Sequence, residues 1–323
     1  MERKILKILN EMESVLDISQ MKKLQETLFN IFAEKECEQI EISNEEYLNK
    51  FIVGKSTMGL SKKTLKYYSA ELKRFFATEN LPALKKITHE DVKQYISDMQ
   101  MKFNCTNRTL NNTRRILSSF FGWLVAEDFI LYNPMKKVYK IKEKKLVKKI
   151  INDEAIELLR DNAENYRDMV IIDFLYSTGV RVGELVNLNK DDVDLLKREC
   201  IVFGKGGKER IAYFDAKTKI HLLKYLESRK DDNPALFVSL LSPYKRLEIS
   251  GVERMIRKLG QKLNLEKIHP HKFRRSMATR AINKGMPIEQ VQKLLGHSKV
   301  DTTLEYALVD QENVKISHNK YLT

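Results

Sequence analysis

The sequence predicts a mainly α-helical protein of two domains, with one small antiparallel β-sheet in the second domain. Apolar residues recur at helical spacing along most of the 323 residues, and this length can bury two cores. Only 12 glycines and 6 prolines interrupt the chain, which is typical of an ordered, helix-rich protein. The clearest β signal is a single hairpin, CIVFG (200–204) and ERIAYF (209–214), around a glycine-rich turn.

The charge balance favours a polyanionic partner. Lysine and arginine number 58 against 44 acidic residues, a net charge of +14, which favours nucleic acid over an anionic membrane. A basic protein without such a partner remains the alternative. The scattered Cys37, Cys105 and Cys200 indicate neither a zinc site nor a disulfide framework. No apolar run approaches about 18 residues and no signal peptide begins the chain, so we expect a cytoplasmic, nucleoid-associated protein of a bacterium.

Residues 1–42 are predicted to form one or two amphipathic helices, because Leu6, Leu9 and Met12 begin an apolar stripe at helical spacing. This extension carries nine acidic and six basic side chains, so it is poorly suited to contact DNA. It is better suited to packing on a neighbour. Packing within the chain and oligomerisation both remain open.

Residues 43–135 are predicted to form a helical domain of four helices. Ser61 and Thr88 are expected N-caps, and apolar residues such as Leu72 and Phe120 at helical spacing would form its core. Basic side chains on the remaining faces predict contacts with DNA phosphates, the alternative being a solvated helix face. These side chains are Lys62, Lys63, Lys66, Arg108, Arg114 and Arg115.

Residues 136–150 are predicted to be a basic linker that follows Asn133-Pro134. The linker contains eight lysines and a single acidic residue, Glu143. Such a strip suits the phosphate backbone of DNA, and it should be ordered only when DNA neutralises it. We expect Lys144 and Lys145 to contact DNA.

Residues 151–323 are predicted to form the second domain. Asn152 is the expected N-cap of its first helix, and a buried helix leads to Gly179. The hairpin follows, and helices at about 216–229 and 250–263 flank a candidate strand at 235–239.

Four polar side chains come from three consecutive elements near the end of this domain. A helix begins near residue 271, Pro287 opens the next one, and Gly296 suits its C-terminal cap. The last turn follows a short polar link. The four side chains are His271, Arg274, His297 and Tyr306.

Four motifs in this order resemble the tyrosine recombinase (phage integrase) family. They are STGVRVGELVNL, GKGGKER, HPHKFRRSMAT and LLGHSKVDTTLEYA. The resemblance covers roughly residues 152–310, and residues 43–135 resemble the family's helical, SAM-like core-binding domain more weakly. It implies a two-domain DNA clamp, made of that core-binding domain and a tyrosine recombinase catalytic domain. The first 42 residues do not resemble a β-sheet arm-binding domain, so the layout is Xer-like or that of a transposon integrase.

The resemblance implies a site-specific recombinase that cuts and rejoins DNA through a 3′-phosphotyrosyl intermediate. Tyr306 would attack the phosphorus and conserve the bond energy, so that neither ATP nor another cofactor is needed. Arg181 and Arg274 would bind the two non-bridging oxygens and replace a metal ion. Glu184, three residues after Arg181, would orient that guanidinium, although a simple surface ion pair is the alternative.

The remaining roles concern protons and one hydrogen bond. Lys205, in the hairpin turn, matches the family's general acid for the leaving 5′ oxygen, and nearby cations would have to lower its usual pKa of about 10.4. His271 would assist proton removal from the tyrosine. His297 would donate a hydrogen bond to a phosphate oxygen.

Two features depart from, or extend, the family pattern. Many relatives have a His-Thr pair after the second arginine, whereas Arg275-Ser276 stands here, so we expect Arg275 to touch the DNA backbone. The tail after Tyr306 would dock in trans onto the next protomer of a tetramer assembled on paired DNA sites, as in relatives.

Three alternatives remain at this point. A type IB topoisomerase shares the chemistry but works as a monomer on one duplex. A DNA-binding architectural protein would need no tyrosine nucleophile and no lysine acid. A metal site on His269 and His271 is a weak third alternative, and we expect no metal.

Overall fold

The computed structural model describes residues 42–143, 149–204, 207 and 209–296, with scattered positions between residues 8 and 28. The chain divides into two compact units, residues 1–145 and 146–323. Among the described residues, no helix is long and apolar enough to cross a membrane.

The first unit is built from helices. They are α1 (Asn44–Thr57), α2 (Lys62–Phe76), α3 (His89–Phe103) and α4 (Asn107–Ala126). Short 3₁₀ turns at Leu84–Lys86 and Pro134–Lys137 follow α2 and α4. The predicted N-caps are present, since the side chains of Ser61 and Thr88 accept main-chain N–H groups of the first turns of α2 and α3.

Aromatic rings fill the core of this unit. Phe51, Phe75 and Phe120 are fully buried, and Phe51 meets Phe120 edge-to-face with ring centroids 5.2 Å apart. Trp123 lies on the same cluster, 5.5 Å from Phe51. As the only tryptophan in the chain, it reports on the folding of this unit alone.

Part of the predicted linker packs on α4. Asn111 accepts a hydrogen bond from the main-chain N–H of Ile141 at 3.0 Å and donates to its carbonyl oxygen at 2.8 Å. The Asn111 amide also lies 2.8 Å from the Glu143 carboxylate. Asparagine side chains on α4 thus satisfy main-chain groups of Ile141 and Lys142, and the ordering of the linker by DNA stays a prediction.

The start of α3 has a capping box. Thr88 Oγ1 accepts the Asp91 N–H at 3.4 Å, and an Asp91 carboxylate oxygen accepts the Thr88 N–H at 2.7 Å. These bonds from Thr88 lower the pKa of Asp91. The stabilising contribution of Asp91 is thus present above its ordinary pKa, and it is lost as the pH falls through the lower pKa of the folded state.

Replacing Thr88 by alanine is expected to lower the free energy of unfolding of the first unit by about 1 kcal/mol, because one N–H cap is lost. Trp123 fluorescence during urea unfolding measures this change. The control is Thr57→Ala, since the Thr57 hydroxyl donates to the Gly54 carbonyl and caps no helix N-terminus. An equal loss in both variants contradicts the capping role.

The second unit combines helices with a three-stranded antiparallel sheet in the order β1–β2–β3. Its strands are β1 (Val193–Asp194), β2 (Glu199–Phe203) and β3 (Glu209–Tyr213). Its helices are α5 (Asp153–Asp161), α6 (Tyr166–Thr178), α7 (Val182–Asn187), α8 (Ala216–Ser228), α9 (Ile249–Lys262), α10 (Pro270–Asn283) and α11 (Ile288–Leu295). The predicted fold class, mainly α with one small antiparallel sheet, is confirmed.

The prediction of a strand at 235–239 was wrong. This segment forms only isolated bridges, Asn189 with Ala235 and Val238 with Arg246, because it pairs with two different segments for one residue each. Ala235, Leu236, Phe237 and Val238 are nonetheless buried. Its apolar run reflects burial and not strand pairing.

Helix α6 is the centre of the second unit and packs against α5, α8 and α10. Its apolar residues are buried around the helix, including Ile171, Phe174 and Leu175. Asp173 is also fully buried, where its carboxylate pairs with Arg160 and lies 2.5 Å from His221 Nδ1. A helix enclosed on all sides fixes the position of the turn at its C-terminus.

Candidate active site

The turn after α6 is the first fixed part of the site. Gly179 ends α6 in the left-handed conformation, with φ of +62°. This backbone conformation favours glycine, and a Cβ here would also displace the Met277 side chain, whose Cε would lie 2.1 Å away. The Gly179 carbonyl oxygen consequently faces α10.

Arg274 on α10 is only 1% exposed. Its Nη1 donates to the Gly179 carbonyl oxygen at 2.6 Å, and its Nη2 donates to the Leu295 carbonyl oxygen. Burying a guanidinium requires such hydrogen bonds. Arg274 therefore ties together the end of α6, the body of α10 and the last residue of α11.

Arg181 is the N-cap residue of α7, and its side chain is 40% exposed. Its Nη1 lies 2.7 Å from Glu184 Oε1, and its Nη2 donates to the Gly296 carbonyl oxygen at 3.4 Å. Arg181 and Arg274 thus donate to consecutive main-chain carbonyls, those of Gly296 and Leu295. The structure brings these two guanidiniums to one turn.

Glu184 is buried, with its side chain 3% exposed. One oxygen accepts the Arg181 guanidinium, and the other accepts the Arg181 main-chain N–H at 2.8 Å. The alternative of a simple surface ion pair is therefore excluded, because the carboxylate is enclosed. Burial strengthens its hold on the arginine.

Arg210 on β3 is a residue to which the sequence analysis gave no role. Its Nη2 lies 2.6 Å from Glu184 Oε2, and its side chain is 11% exposed. Strand alternation could have revealed it, because Arg210 and Ala212 share the inward face of β3 opposite Val202 and Cys200. A charged residue at an inward strand position requires a buried counter-charge.

The start of α10 positions the remaining described candidates. His271 is exposed in the first turn of α10. Arg275 is 8% exposed, so its side chain is largely enclosed within the unit, and its contact with the DNA backbone stays a prediction. Ser276 Oγ accepts the Ile151 N–H at 2.7 Å and donates to the Lys272 carbonyl at 2.9 Å, which fixes the start of the second unit.

Several predicted residues lie outside the described part of the chain. Lys205 falls between β2 and β3, and His297 follows Gly296, the left-handed C-cap of α11. The other residues outside the described part are Tyr306, Lys144 and Lys145.

The DNA-contact candidates of the first unit are mainly exposed. Lys62, Lys63 and Lys66 lie exposed in the first half of α2. The exposed Arg108 lies 3.8 Å from Glu143. Arg115 is exposed and donates to Asn112, whereas Arg114 is half-buried.

Potential metal ligands do not cluster in the described residues. Within those ranges, no group of three or more His, Cys, Asp or Glu side chains could hold a metal ion. His269 is the N-cap residue of α10. Burial lowers its pKa, and Arg275 and Lys272 lower it further.

Comparison with known proteins decides the family. A profile described as "Phage integrase family" matches residues 141–313, more than half of the chain, and one described as "Phage integrase, N-terminal SAM-like domain" matches residues 47–131. The chain belongs to the phage integrase family. Tyrosine recombinase XerA of Pyrococcus horikoshii is 32% identical over 282 residues, covering 86% of this chain and 94% of that protein. Tyrosine recombinase XerC of Leptospira interrogans is 34% identical over 301 residues, covering 90% of this chain and 96% of that protein.

Solved structures show the same fold. A Tn1549 transposon integrase in complex with a circular intermediate DNA has a TM-score of 0.71 at 19% identity, covering 85% of this chain and 98% of that one. XerH recombinase bound to a palindromic difH substrate has a TM-score of 0.68 at 21% identity, covering 99% of this chain and 95% of that one. This phage integrase family member is a DNA-binding tyrosine site-specific recombinase. None of these similarities favours a type IB topoisomerase or an architectural protein.

Proposed function

We propose that this recombinase cuts and rejoins DNA at specific paired sites through a 3′-phosphotyrosyl link to Tyr306, without metal or ATP. The observation that carries the proposal is the pair of guanidiniums, Arg181 and Arg274, on the consecutive carbonyls of Gly296 and Leu295. His297 follows directly in the sequence, and Tyr306 stands nine residues later.

The two arginines bind the scissile phosphate in this mechanism. A pentavalent transition state accumulates negative charge on the non-bridging oxygens, and guanidinium groups donate to such oxygens in fork geometry. The Arg181 side chain is already 40% exposed. Arg274 uses main-chain carbonyls to hold its guanidinium in place, and His297 adds a hydrogen bond to the phosphate.

Protons move at two atoms during cleavage. The Tyr306 oxygen forms a bond to phosphorus while the bond from phosphorus to the 5′ oxygen breaks. His271 assists removal of the phenolic proton, and its exposed position on the first turn of α10 leaves it accessible. Lys205 supplies the proton that the departing 5′ oxygen takes up.

Rejoining reverses these steps with a different strand. The 5′ hydroxyl of the partner strand attacks the phosphotyrosine, its proton returns to Lys205, and Tyr306 leaves as the phenol. The phosphoester count is unchanged throughout, so no ATP is required.

A suicide duplex tests this function. A nick next to the scissile phosphate lets the cleaved fragment diffuse away and traps the covalent link. The wild-type protein should form an SDS-resistant protein–DNA adduct in EDTA and without ATP, and peptide mapping should place the DNA on Tyr306. No adduct on the cognate site, or an adduct that requires a divalent metal, would refute the proposal.

Assembly on DNA is part of the same proposal. Both units contact the duplex, with Lys62, Lys63, Lys66, Arg108 and Arg115 among the contacts of the first unit and Lys144 and Lys145 among those of the linker. Four protomers hold two sites together, and the tail at 307–323 docks in trans. Mass photometry should show four protomers on two sites, and deletion of residues 307–323 should reduce this assembly. A full-length complex that stays monomeric on DNA argues against it.

The cellular setting follows from the substrate. We place the protein in the cytoplasm, on the nucleoid, in the service of a mobile element. Sequencing the DNA that flanks the gene tests this assignment, since a mobile element leaves repeated ends around its integrase.

A further inference from the structure

Arg210 is connected to the candidate active site by its ion pair with Glu184. The Glu184 carboxylate holds two guanidiniums at once, Arg181 at 2.7 Å on one oxygen and Arg210 at 2.6 Å on the other. Arg181 stands in the turn before α7, whereas Arg210 comes from β3. A single carboxylate therefore joins the sheet to the phosphate-binding arginine.

The charge of this triad favours phosphate binding. Arg181 and Glu184 alone would form a neutral pair, in which the carboxylate competes with a phosphate for the guanidinium. Arg210 adds a second positive charge, so that the three side chains together are net positive and the Glu184 carboxylate divides its interactions between two guanidiniums. Burial lowers the pKa of Arg210, and the Glu184 charge opposes this effect.

Arg210 also contacts the turn that precedes His297. A Cβ at Gly296 would lie 2.7 Å from the Cδ and Nε atoms of Arg210. Gly296 is the left-handed C-cap of α11, with φ of +62°, and its carbonyl accepts Arg181. The Arg210 side chain is thus enclosed between Glu184 and this turn.

Folding stability does not account for this arrangement. The Nε and Nη1 atoms of Arg210 are buried and have no acceptor within the described ranges. Buried donors without acceptors cost free energy, so part of the Arg210 guanidinium is unfavourable for folding at this inward strand position. The benefit of arginine here is its effect on Glu184.

We propose that Arg210 is a positioning residue for DNA cleavage. Through Glu184 it holds the Arg181 guanidinium in place for the scissile phosphate. Its own charge offsets that of Glu184, so that the positive charge of Arg181 remains available to bind the phosphate. The inference rests on the proposed cleavage chemistry. Arg210 also fixes the base of the β2–β3 hairpin, whose turn contains Lys205, against the same carboxylate.

Single-turnover cleavage of the suicide duplex tests this role. Arg210→Gln is expected to slow adduct formation about 10- to 100-fold at saturating protein, since small misplacements at a reacting centre have effects of this size. DNA affinity should change by less than about threefold, because the loss acts on the transition state. Arg210→Lys should recover part of the rate, since it restores charge without the fork.

Arg167→Gln is the matched control. Arg167 is 10% exposed and pairs with Asp168, so it resembles Arg210 in burial and in having an ion pair. Its hydrogen bonds run to Asp168 and to the Val238 carbonyl, away from Glu184 and Gly296. It is expected to cleave at the wild-type rate. Circular dichroism and hydrogen exchange of α6 and α10 check that each variant is folded.

Two readouts separate positioning from a general structural defect. If Arg210 acts through Arg181, the double variant Arg210→Gln/Arg181→Ala should be no slower than Arg181→Ala. A methylphosphonate at the scissile position replaces one charged oxygen by a methyl group. On that substrate the difference in cleavage rate between Arg210→Gln and the wild type should be smaller, because the transition state then has less negative charge for the Arg181 guanidinium to stabilise.

The possible results separate failure of the Arg210 role from failure of the proposed cleavage reaction. If the wild type forms no adduct, the proposed function fails. If the wild type cleaves and folded Arg210→Gln cleaves equally fast, Arg210 has no positioning role. Equal deficits on phosphate and methylphosphonate substrates, or multiplicative effects in the double variant, likewise overturn the inference.

Discussion

Replacing Tyr306 by phenylalanine is expected to abolish the SDS-resistant adduct completely. The substitution removes a single oxygen, which is the atom that bonds to phosphorus in the proposed reaction, and keeps the aromatic ring. No other step of the reaction can then proceed, because strand exchange starts from the phosphotyrosine. The measurement is the fraction of suicide duplex retained with protein on a denaturing gel.

The control for this loss is Tyr321→Phe, which changes a second tyrosine in the same C-terminal segment. Tyr321→Phe should form adduct at the wild-type rate, and both variants should bind the cognate duplex with wild-type affinity. An adduct that persists in Tyr306→Phe but disappears in Tyr321→Phe would move the nucleophile to the later position. Loss of DNA binding in Tyr306→Phe would contradict a purely chemical role.

Replacing Arg181 by alanine is expected to slow single-turnover cleavage about 100- to 1,000-fold, the usual effect of removing one donor that stabilises transition-state charge. The fold should survive, because the Arg181 side chain is 40% exposed and Glu184 keeps Arg210 as a partner. The loss should therefore appear in the cleavage rate and hardly in the DNA affinity. Arg181→Lys should cleave at a rate between those of the wild type and Arg181→Ala, since lysine keeps the charge but cannot donate two parallel hydrogen bonds.

Lys217→Ala is the control for Arg181→Ala. Lys217 has a similar exposure of 45% and pairs with one carboxylate, that of Glu157, at 2.9 Å. This exposed pair contributes little to stability and lies on α5 and α8, so the cleavage rate should stay at the wild-type value. A cleavage rate of Arg181→Ala that matches that of Lys217→Ala contradicts the phosphate-binding role.

Local features were accessible from the sequence. The caps at Ser61, Thr88 and Asn152 depend on residues a few positions apart, and the structure has them where they were expected. The two strands of the β2–β3 hairpin are also present, with ends that differ from the predicted ones by at most one residue. Periodicity likewise predicted a mainly helical chain. The misassigned strand at 235–239 shows the limit of this approach, because a buried apolar run has the same composition whether or not a neighbouring strand is present.

Long-range contacts were not accessible. The burial of Arg275, the hydrogen bonds of Asn111 to Ile141 and Glu143 and the ion pair of Arg210 all depend on segments that are distant in sequence. Strand alternation is compatible with an inward Arg210, but no local pattern identifies Glu184 as its partner. The separation of 26 residues between them spans a helix and two strands.

The sequence by itself determined the family and the residue types of the site, because motif order and spacing are properties of the chain alone. The tertiary structure decided that Arg181 and Arg274 donate to the consecutive carbonyls of Gly296 and Leu295, across 115 and 21 residues. It also decided that Glu184 is shared by two arginines. The physical reason is that helix caps and periodicity act within one or two turns, whereas the burial of a charge depends on every segment that surrounds it.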